Sequence, residues 1–252
     1  MLIIISALFF LGIASISYQQ EVISIFVFLG LLILLVANKE RRFIISILLS
    51  VLAGYVLFVV SNNFVGTMDI SEEIKIILNR FFLIFIIIGI VLNHVFFNKK
   101  VYWYNEKPDW TNPIVLPFHK MNTFWFWMIG IVINVMIYAY FIVQKDLEYI
   151  QTLLLFCLFF SLINAVFEEV IWRGLLLSVI KEHTSLSFAV IITSVGFGLF
   201  HLSIGFSIYL SLLISVAGFI YALITLKTKS IYPSIVFHIV INIGMVYSGL
   251  II

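Results

Sequence analysis

Charged residues are scarce in this sequence. Only 10% of its 252 residues are charged, whereas 63% are hydrophobic, and a typical soluble domain carries about 25% charged residues. This scarcity excludes a sizeable soluble domain. The formal net charge is only +2, which gives no reason to predict nucleic-acid binding. A single cysteine, Cys157, excludes an internal disulfide.

In place of charge the chain has long apolar runs, many of them about twenty residues long, which is the length that spans a bilayer core. We therefore predict an all-α fold, a polytopic transmembrane helical bundle with about eight or nine spans. The first run lacks the basic segment of a signal peptide, so we interpret it as a membrane helix. The nine candidate spans are 2–17, 22–37, 43–61, 74–97, 124–143, 149–166 with a polar continuation, 188–205, 207–226 and 231–252.

Basic residues are concentrated in four loops that fall on one side of the predicted membrane: KERR at 39–42, the long loop 98–122, KEHTS at 181–185 and KTKS at 227–230. The remaining loops are acidic on balance. Because Lys and Arg mark the cytoplasmic side, we predict that the N-terminus is cytoplasmic and that the C-terminus lies outside.

The long loop 98–122 is rich in Tyr and Trp, as is typical of the lipid headgroup zone. We interpret it as an interfacial connector, with a lid or substrate-docking segment as the alternative. The loop divides the chain into an N-terminal part, 1–122, and a C-terminal part, 123–252, in which further polar motifs occur.

Ionisable side chains inside a membrane are costly and usually functional, but several here have simple explanations. Arg80 and His94 lie toward opposite ends of the fourth span, and we expect both to snorkel outward. His119 and His183 fall in loops, and Asn134 can bond a neighbouring helix. We interpret these five residues as structural.

The sequence EEVIWR at 168–173 needs another explanation. Glu169 and Arg173 are four residues apart, so they share a helix face and can pair. Glu168 lies about 100° further round the helix and is not matched by that arginine.

Two further polar sites occur in the later spans. His201 ends the sequence FGLFH within the seventh span, and His238 and Asn242 are four residues apart in the ninth. Counted along the helices, His201 lies roughly 20 Å and His238 roughly 10 Å from the cytoplasmic ends. We therefore predict that they meet Glu168 in the cytoplasmic half of the membrane, in a site open toward the cytoplasm.

These residue types suit peptide hydrolysis without a nucleophilic serine or cysteine. A poorly solvated carboxylate such as Glu168 is a good base for water, and His201 can hold that water. His238 and Asn242 can donate hydrogen bonds to a developing oxyanion. Interhelical hydrogen bonding is the alternative interpretation of each residue alone. Four such residues beside an ion pair favour a functional site.

The three motifs, in this order, resemble the CPBP family of intramembrane proteases, also called Abi. This family includes type II CAAX prenyl endopeptidases and bacteriocin-processing or immunity proteins, and its motifs are EExxxR, FxxxH and HxxxN. The likeness covers about residues 153–252. It implies that 123–252 is the protease core and that Glu168 is the general base, assisted by His201. It further implies that His238 and Asn242 stabilise the oxyanion, and that the acid–arginine pair of the first motif holds the site in shape.

The resemblance also implies a membrane-associated peptide or protein as substrate. We favour a bacterial peptide precursor or small membrane protein over a prenylated C-terminus, because the Ile-, Phe-, Lys- and Asn-rich composition resembles low-GC bacterial sequences. That places the chain in a bacterial cell membrane. Two other classes stay open: a non-proteolytic scaffold or bacteriocin-immunity protein, and a proton-coupled transporter, although the inverted repeat of broken helices common in transporters is missing.

A metal is a further open question, because Glu168 and the two histidines could supply the three ligands that catalytic zinc takes. If those three residues held zinc, Glu169 would be the obvious remaining base, but Arg173 is placed to pair with it. Asn242 is a poor zinc ligand, and no HExxH motif is present. We predict glutamate-dependent hydrolysis with no required cofactor, and zinc stays the alternative.

Overall fold

The chain is almost wholly helical. The computed structural model describes residues 1–116 and 119–251. Pro117 and Phe118 of the predicted long loop, and Ile252 of the last predicted span, lie outside the described residues. The helices are α1 (Leu2–Ser17), α2 (Glu21–Ala37), α3 (Arg42–Gly66), α4 (Glu72–Phe81), α5 (Ile84–Phe96), α6 (Thr123–Ile142), α7 (Leu147–Thr152), α8 (Leu154–Glu169), α9 (Leu177–His183), α10 (Leu186–Phe200), α11 (Ile208–Thr228) and α12 (Tyr232–Tyr247). Two three-residue strands, β1 (Ile114–Leu116) and β2 (His119–Met121), pair antiparallel within the long loop.

Six helical segments are long and apolar enough to cross a membrane: Lys39–Gly66, Glu72–Phe96, Thr123–Ile142, Leu154–His183, Leu186–Ile204 and Ile208–Thr228. The helices α1, α2 and α12 are apolar but shorter. Helices suit the hydrocarbon core because they satisfy every backbone polar group internally. The predicted all-α polytopic bundle is confirmed, and each of the nine predicted spans corresponds to an apolar helix or helical segment.

Several helices begin at a polar side chain that accepts a backbone N–H from the first turn. Such a cap satisfies a donor that has no partner within the helix. Helix starts near the membrane surface are therefore fixed by local sequence. The capping residues are Ser71, Asn122, Asp146, Ser185 and Ser207.

The fourth and sixth predicted spans depart from a simple helix close to the first polar motif. The fourth is interrupted between α4 and α5, directly after the turn that carries Arg80. The sixth continues beyond Glu169 through a π-helical segment, Val170–Leu176, into α9. Wider π-helical turns are rare and are frequent at functional sites. Both irregularities lie close to the first polar motif.

The basic loops gather on one face of the bundle. The long loop is tied to the turn between α11 and α12, where the Asp109 N–H donates to the Thr228 carbonyl at 2.8 Å and the Ile231 N–H donates to the Tyr104 carbonyl at 2.9 Å. The hydroxyl and backbone N–H of Thr111 donate to the Asp109 carboxylate, which lowers the pKa of that carboxyl to about 2. We call this side, with loops 38–42, 97–122, 183–185 and 229–231, the basic-loop face.

One hydrophobic core crosses both parts of the chain. It includes Phe9 and Tyr55 from the N-terminal part and Trp172 and Phe200 from the C-terminal part. The rings of Tyr55 and Phe200 have centroids 4.0 Å apart, and the Tyr55 hydroxyl donates to the Phe200 carbonyl at 3.3 Å. Residues 1–122 therefore help to form the core that surrounds the polar motifs. The division of the chain at residue 122 stays a prediction.

Candidate active site

Glu169 is the centre of a fully packed ionic cluster. Arg173 Nη1 donates to Glu169 Oε1 at 2.9 Å, and His238 Nδ1 lies 3.0 Å from the same oxygen. Arg173 Nη2 donates to the Gly218 carbonyl at 3.0 Å. Glu169 and Arg173 are both 0% exposed. The predicted pairing of these two residues is confirmed, and His238 is a second partner that the sequence did not predict.

Aromatic rings close around the guanidinium of this cluster. The Arg173 Cζ lies 4.2 Å from the ring centroid of Phe197 and 4.9 Å from that of Tyr221, within the range of cation–π attraction. The His238 ring stacks on Tyr221 with centroids 5.1 Å apart. Phe197, the first residue of the second motif, thus holds the arginine of the first motif.

Gly218 allows this packing because α10 and α11 approach closely at that point. A Cβ added there would lie 3.0 Å from the Ser194 carbonyl oxygen and 3.0 Å from a Phe197 ring carbon. The close approach brings the Gly218 carbonyl to Arg173.

Glu168 has a different environment. Its Oε1 lies 3.4 Å from Arg80 Nη1, and its Oε2 lies 3.7 Å from His238 Nε2. Oε2 accepts no hydrogen bond from the part of the chain that the structure describes. With Arg80 and His201, the side chain borders a narrow gap that has no room for a water molecule. One buried carboxylate oxygen is therefore left to interact with other groups.

Arg80 is the main functional candidate that the sequence interpretation missed. The expectation that it snorkels outward is wrong, because Arg80 is only 7% exposed. It donates from Nη1 to Asn164 Oδ1 at 3.1 Å and to Glu168 at 3.4 Å. The sequence could have indicated this pair. Glu168 and Arg80 were opposite charges within predicted membrane spans, and the sequence analysis had assigned a partner to neither of them.

His201 lies at the junction between α10 and a short 3₁₀ segment, His201–Ile204. Its Nδ1 is 2.9 Å from the Phe197 carbonyl. A carbonyl only accepts hydrogen bonds, so Nδ1 carries the proton and Nε2 is the ring atom left for other partners. The ring also stacks on Phe206, with centroids 6.0 Å apart.

His238 and Asn242 lie on one face of α12, as their spacing predicted. Asn242 Nδ2 donates to the Ser161 carbonyl over 3.5 Å, at the limit of a hydrogen bond. Pro233 lies in the first turn of α12, where the missing N–H of a proline costs nothing. The amide of Asn242 is thus only loosely held by the protein.

A cavity of about 850 Å³ joins these residues. Arg80, His201, His238 and Asn242 all line it. Glu168 borders a narrow gap that shares Arg80 and His201 with the cavity. The predicted meeting of Glu168 with the residues of the second and third motifs is confirmed. None of the described residues of the long loop 98–122 lines this cavity, so the cavity walls give no support to a lid made by that loop.

The cavity opens on the face opposite the basic loops, so the prediction that the site opens toward the basic-loop side is wrong. The residues at its mouth adjoin the ends of α1, α3 and α12 and the starts of α4 and α11. His201 lies as deep along its span as we predicted. At that depth, however, it is only four residues from Gly205, at the end of the span away from the basic loops. We call this side the cavity face; the mouth residues are Gln19, Asn63, Gly66, Glu72, Lys75, Phe206 and Leu250.

The four other residues that we interpreted as structural do not line the cavity. His94 is buried and does not snorkel: its Nδ1 lies 2.9 Å from the Ile90 carbonyl, and its ring packs edge-on against Phe43. Asn134 bonds the Gly130 carbonyl of its own helix, not a neighbouring helix. His119 lies in β2 and His183 is the last residue of α9.

The side chains do not fit a catalytic zinc ion. Across residues 1–116 and 119–251, no group of three His, Cys, Asp or Glu side chains is arranged to hold a metal. The Glu169 oxygen nearest His238 already bonds Arg173, and the second carboxylate, Glu168, faces the guanidinium of Arg80.

Part of the chain that contains these residues is similar to known proteins. Residues 150–244 match the family model described as "Type II CAAX prenyl endopeptidase Rce1-like". Over 99 residues the chain is 31% identical to the protein of Bacillus subtilis (strain 168) described as "Putative membrane peptidase YdiL". That alignment covers 39% of this chain and 39% of the relative. No solved structure matches the chain at a significant level.

Proposed function

We propose, on the premise that residues 150–244 belong to the CPBP family, that this integral membrane protein is an intramembrane endopeptidase. Its substrates would be membrane-associated peptides or proteins. The observation that carries the proposal is a buried carboxylate, Glu168, beside a cavity lined by two histidines and an asparagine.

Glu168 would act as the general base. Its Oε2 is the oxygen with no protein hydrogen bond in the described residues, and a positioned base typically contributes 10²–10⁴-fold to a rate. The carboxylate would remove a proton from water while the water oxygen bonds to the peptide carbonyl carbon. Collapse of the tetrahedral intermediate would break the C–N bond, and the same proton would pass to the leaving amine. His201 would orient the water through Nε2.

His238 and Asn242 would stabilise the oxyanion. Because His238 Nδ1 donates to Glu169, its Nε2 is a donor only when the ring carries both protons. The long bond from Asn242 to the Ser161 carbonyl leaves the amide able to turn toward a substrate. One such donor is typically worth 10²–10³-fold in kcat.

Arg80 would position the base. Its guanidinium bonds one oxygen of Glu168 and the side chain of Asn164. This arrangement would hold the carboxylate in one orientation and leave the second oxygen for the water. Arg80 lies outside the region that matches the family model, so this role comes from the geometry alone.

The proposed reaction uses no metal, because Glu168 acts as base and Glu169 is committed to Arg173 and His238. Metal analysis of the purified, active protein tests this point. A stoichiometric divalent ion, lost together with activity on chelation and restored with it on re-addition, would make Glu168 and the two histidines ligands instead.

For its place in the cell we propose a bacterial plasma membrane with the N-terminus in the cytoplasm. The concentration of Lys and Arg in four loops supports this orientation. Reporter fusions at the turn 229–231 test it, and an external position of that turn would reverse the orientation.

The function itself is tested by comparing the peptides of cells that express the normal chain with those of cells that express Glu168→Ala. Peptides that appear only with the normal chain are the expected products. Identical peptide profiles at equal protein level would contradict proteolysis and would favour a scaffold role.

A further inference from the structure

We infer that the active-site cavity is reached from the extracytoplasmic side of the membrane. On this inference, which rests on the proposed protease function, the substrates are membrane-anchored peptides or proteins whose cleaved segment lies outside the cytoplasm. Two independent observations lead to it: where the cavity opens, and where the basic residues lie.

The first observation is the position of the mouth. Helices alternate in direction across the bundle, so the ends of α1, α3 and α12 lie on the same face as the starts of α4 and α11. The mouth residues come from all five of these positions. Asn63 is exposed at the mouth, Ser203 lies further along the wall, and Arg80 lies deeper beside Glu168.

The path from the mouth to the site is polar on several sides. Gln19, Asn63 and Glu72 stand near the opening, while Asn79 and Asn164 line the interior. Ile76, Ile214 and Met245 line it as well. Such a mixed lining suits an extended peptide, because its backbone needs hydrogen-bond partners and its side chains need apolar contacts.

The second observation is charge. Of the 14 Lys and Arg residues, only Lys75 and Lys145 lie on the cavity face, and Arg80 and Arg173 are buried in the site. Lys and Arg in short loops orient membrane proteins with that side in the cytoplasm. The remaining ten lie on the basic-loop face: Lys39, Arg41, Arg42, Lys99, Lys100, Lys107, Lys120, Lys181, Lys227 and Lys229.

Together the two observations set the side of access. A cytoplasmic basic-loop face puts the mouth of the cavity outside. The polar path leads from there to Arg80 and His201, which also border the gap beside Glu168. The substrate class follows, because none of the described residues of the four basic loops lines the cavity. A segment that stays in the cytoplasm therefore does not face the mouth.

Single-cysteine labelling tests this inference without any assay of proteolysis. The only native cysteine, Cys157, is replaced by serine. Three variants are then made in that background: Asn63→Cys at the mouth, Ser203→Cys on the cavity wall, and Glu106→Cys on the basic-loop face. Glu106 is exposed, and its replacement leaves every basic residue in place. Intact bacterial cells expressing each variant are treated with a membrane-impermeant maleimide before and after the membrane is opened, and each variant is checked for normal thermal unfolding.

The Asn63→Cys and Ser203→Cys variants should be labelled in intact cells, and the Glu106→Cys variant only after the membrane is opened. The reverse pattern would overturn the inference, as would labelling of all three on the same side. Failure of Ser203→Cys to react on either side, with Asn63→Cys labelled outside, would also overturn it, because the cavity would then be closed to water.

The outcome is separable from the protease proposal. If the labelling is as expected but no peptide depends on Glu168, the protease proposal is rejected and the extracytoplasmic access to the cavity is supported. If peptides depend on Glu168 but the labelling is reversed, the protease proposal is supported and the extracytoplasmic access is rejected. Glu168-dependent peptides should come from extracytoplasmic segments, and an origin in cytoplasmic segments would overturn the substrate class.

Discussion

Glu168 and Glu169 are adjacent residues of the same type, yet they belong to two different regions of the molecule. Glu169 lies in the packed cluster with Arg173 and His238, where one of its oxygens accepts from both partners. Glu168 lies beside the cavity with Arg80 on one side. In both carboxylates Oε2 accepts no hydrogen bond from the described chain, but Glu169 lines neither the cavity nor the gap next to it. Both are nearly fully buried, at 0% and 2% exposure.

The comparison shows that burial alone does not assign a role to a carboxylate. Adjacent residues point about 100° apart on a helix, so each meets a different set of neighbouring helices. A carboxylate stabilises structure when one of its oxygens accepts hydrogen bonds from two groups in a packed cluster. A carboxylate beside a cavity can act on a bound molecule, because one of its oxygens has no partner in the protein. Replacing residues of each region in turn tests this distinction.

The largest difference is expected between Glu168→Gln and Glu169→Gln. Glu168→Gln keeps the shape of the side chain but removes the base, so cleavage should fall by about 10²–10⁴-fold. Its melting temperature should fall less than that of Glu169→Gln, because the Arg80–Glu168 contact is longer, at 3.4 Å, and Arg80 keeps Asn164 as a partner. Glu169→Gln should lower the melting temperature clearly, because Arg173 loses its charged partner. Rates and melting temperatures of the purified variants measure both effects. Near-normal cleavage by Glu168→Gln would contradict its assignment as base.

Arg173→Met should have the next largest effect, a loss of about 3–5 kcal/mol in the free energy of unfolding, because it removes one partner of a buried ion pair. The matched control is Lys75→Met, which breaks the exposed pair between Lys75 and Glu72 and should cost about 0–1 kcal/mol. Unfolding of both variants in detergent compares them. Equal stability of the two variants would mean that the cluster around Glu169 is not a structural centre.

Arg80→Met should reduce kcat by about 10–100-fold, because a hydrogen bond to a charged group is worth about 1.5–3 kcal/mol. KM should change little if Arg80 acts through Glu168. Arg80→Lys keeps the charge and should restore part of the rate. A rise in KM with unchanged kcat would instead indicate that Arg80 binds substrate.

Gly218→Ala should give the smallest of these effects, a loss of about 1–3 kcal/mol in stability from overpacking between α10 and α11. The control is Gly66→Ala, since a Cβ added at Gly66 meets nothing within 4 Å, and its effect should stay within about 0.5 kcal/mol. Melting temperatures compare the two. Equal melting temperatures would mean that the cluster around Arg173 tolerates a wider gap between these helices.

The sequence by itself determined what depends on neighbouring residues along the chain. Hydropathy is a property of each segment, so the membrane helices follow from it. The caps and the Glu169–Arg173 pair are likewise local, because they join residues two to four positions apart. The motifs carried the family resemblance, which the matches over residues 150–244 and to the Bacillus subtilis protein support.

Only the tertiary structure decided which distant groups meet. Arg80 reaches Glu168 across 88 residues of sequence, and His238 reaches Glu169 across 69. The sequence pattern also did not predict the π-helical segment after Glu169 or the face on which the cavity opens. Spacing along one helix gives depth and angle, but the partner of a buried charge depends on how the helices pack. The same packing determines which side of the membrane the cavity reaches.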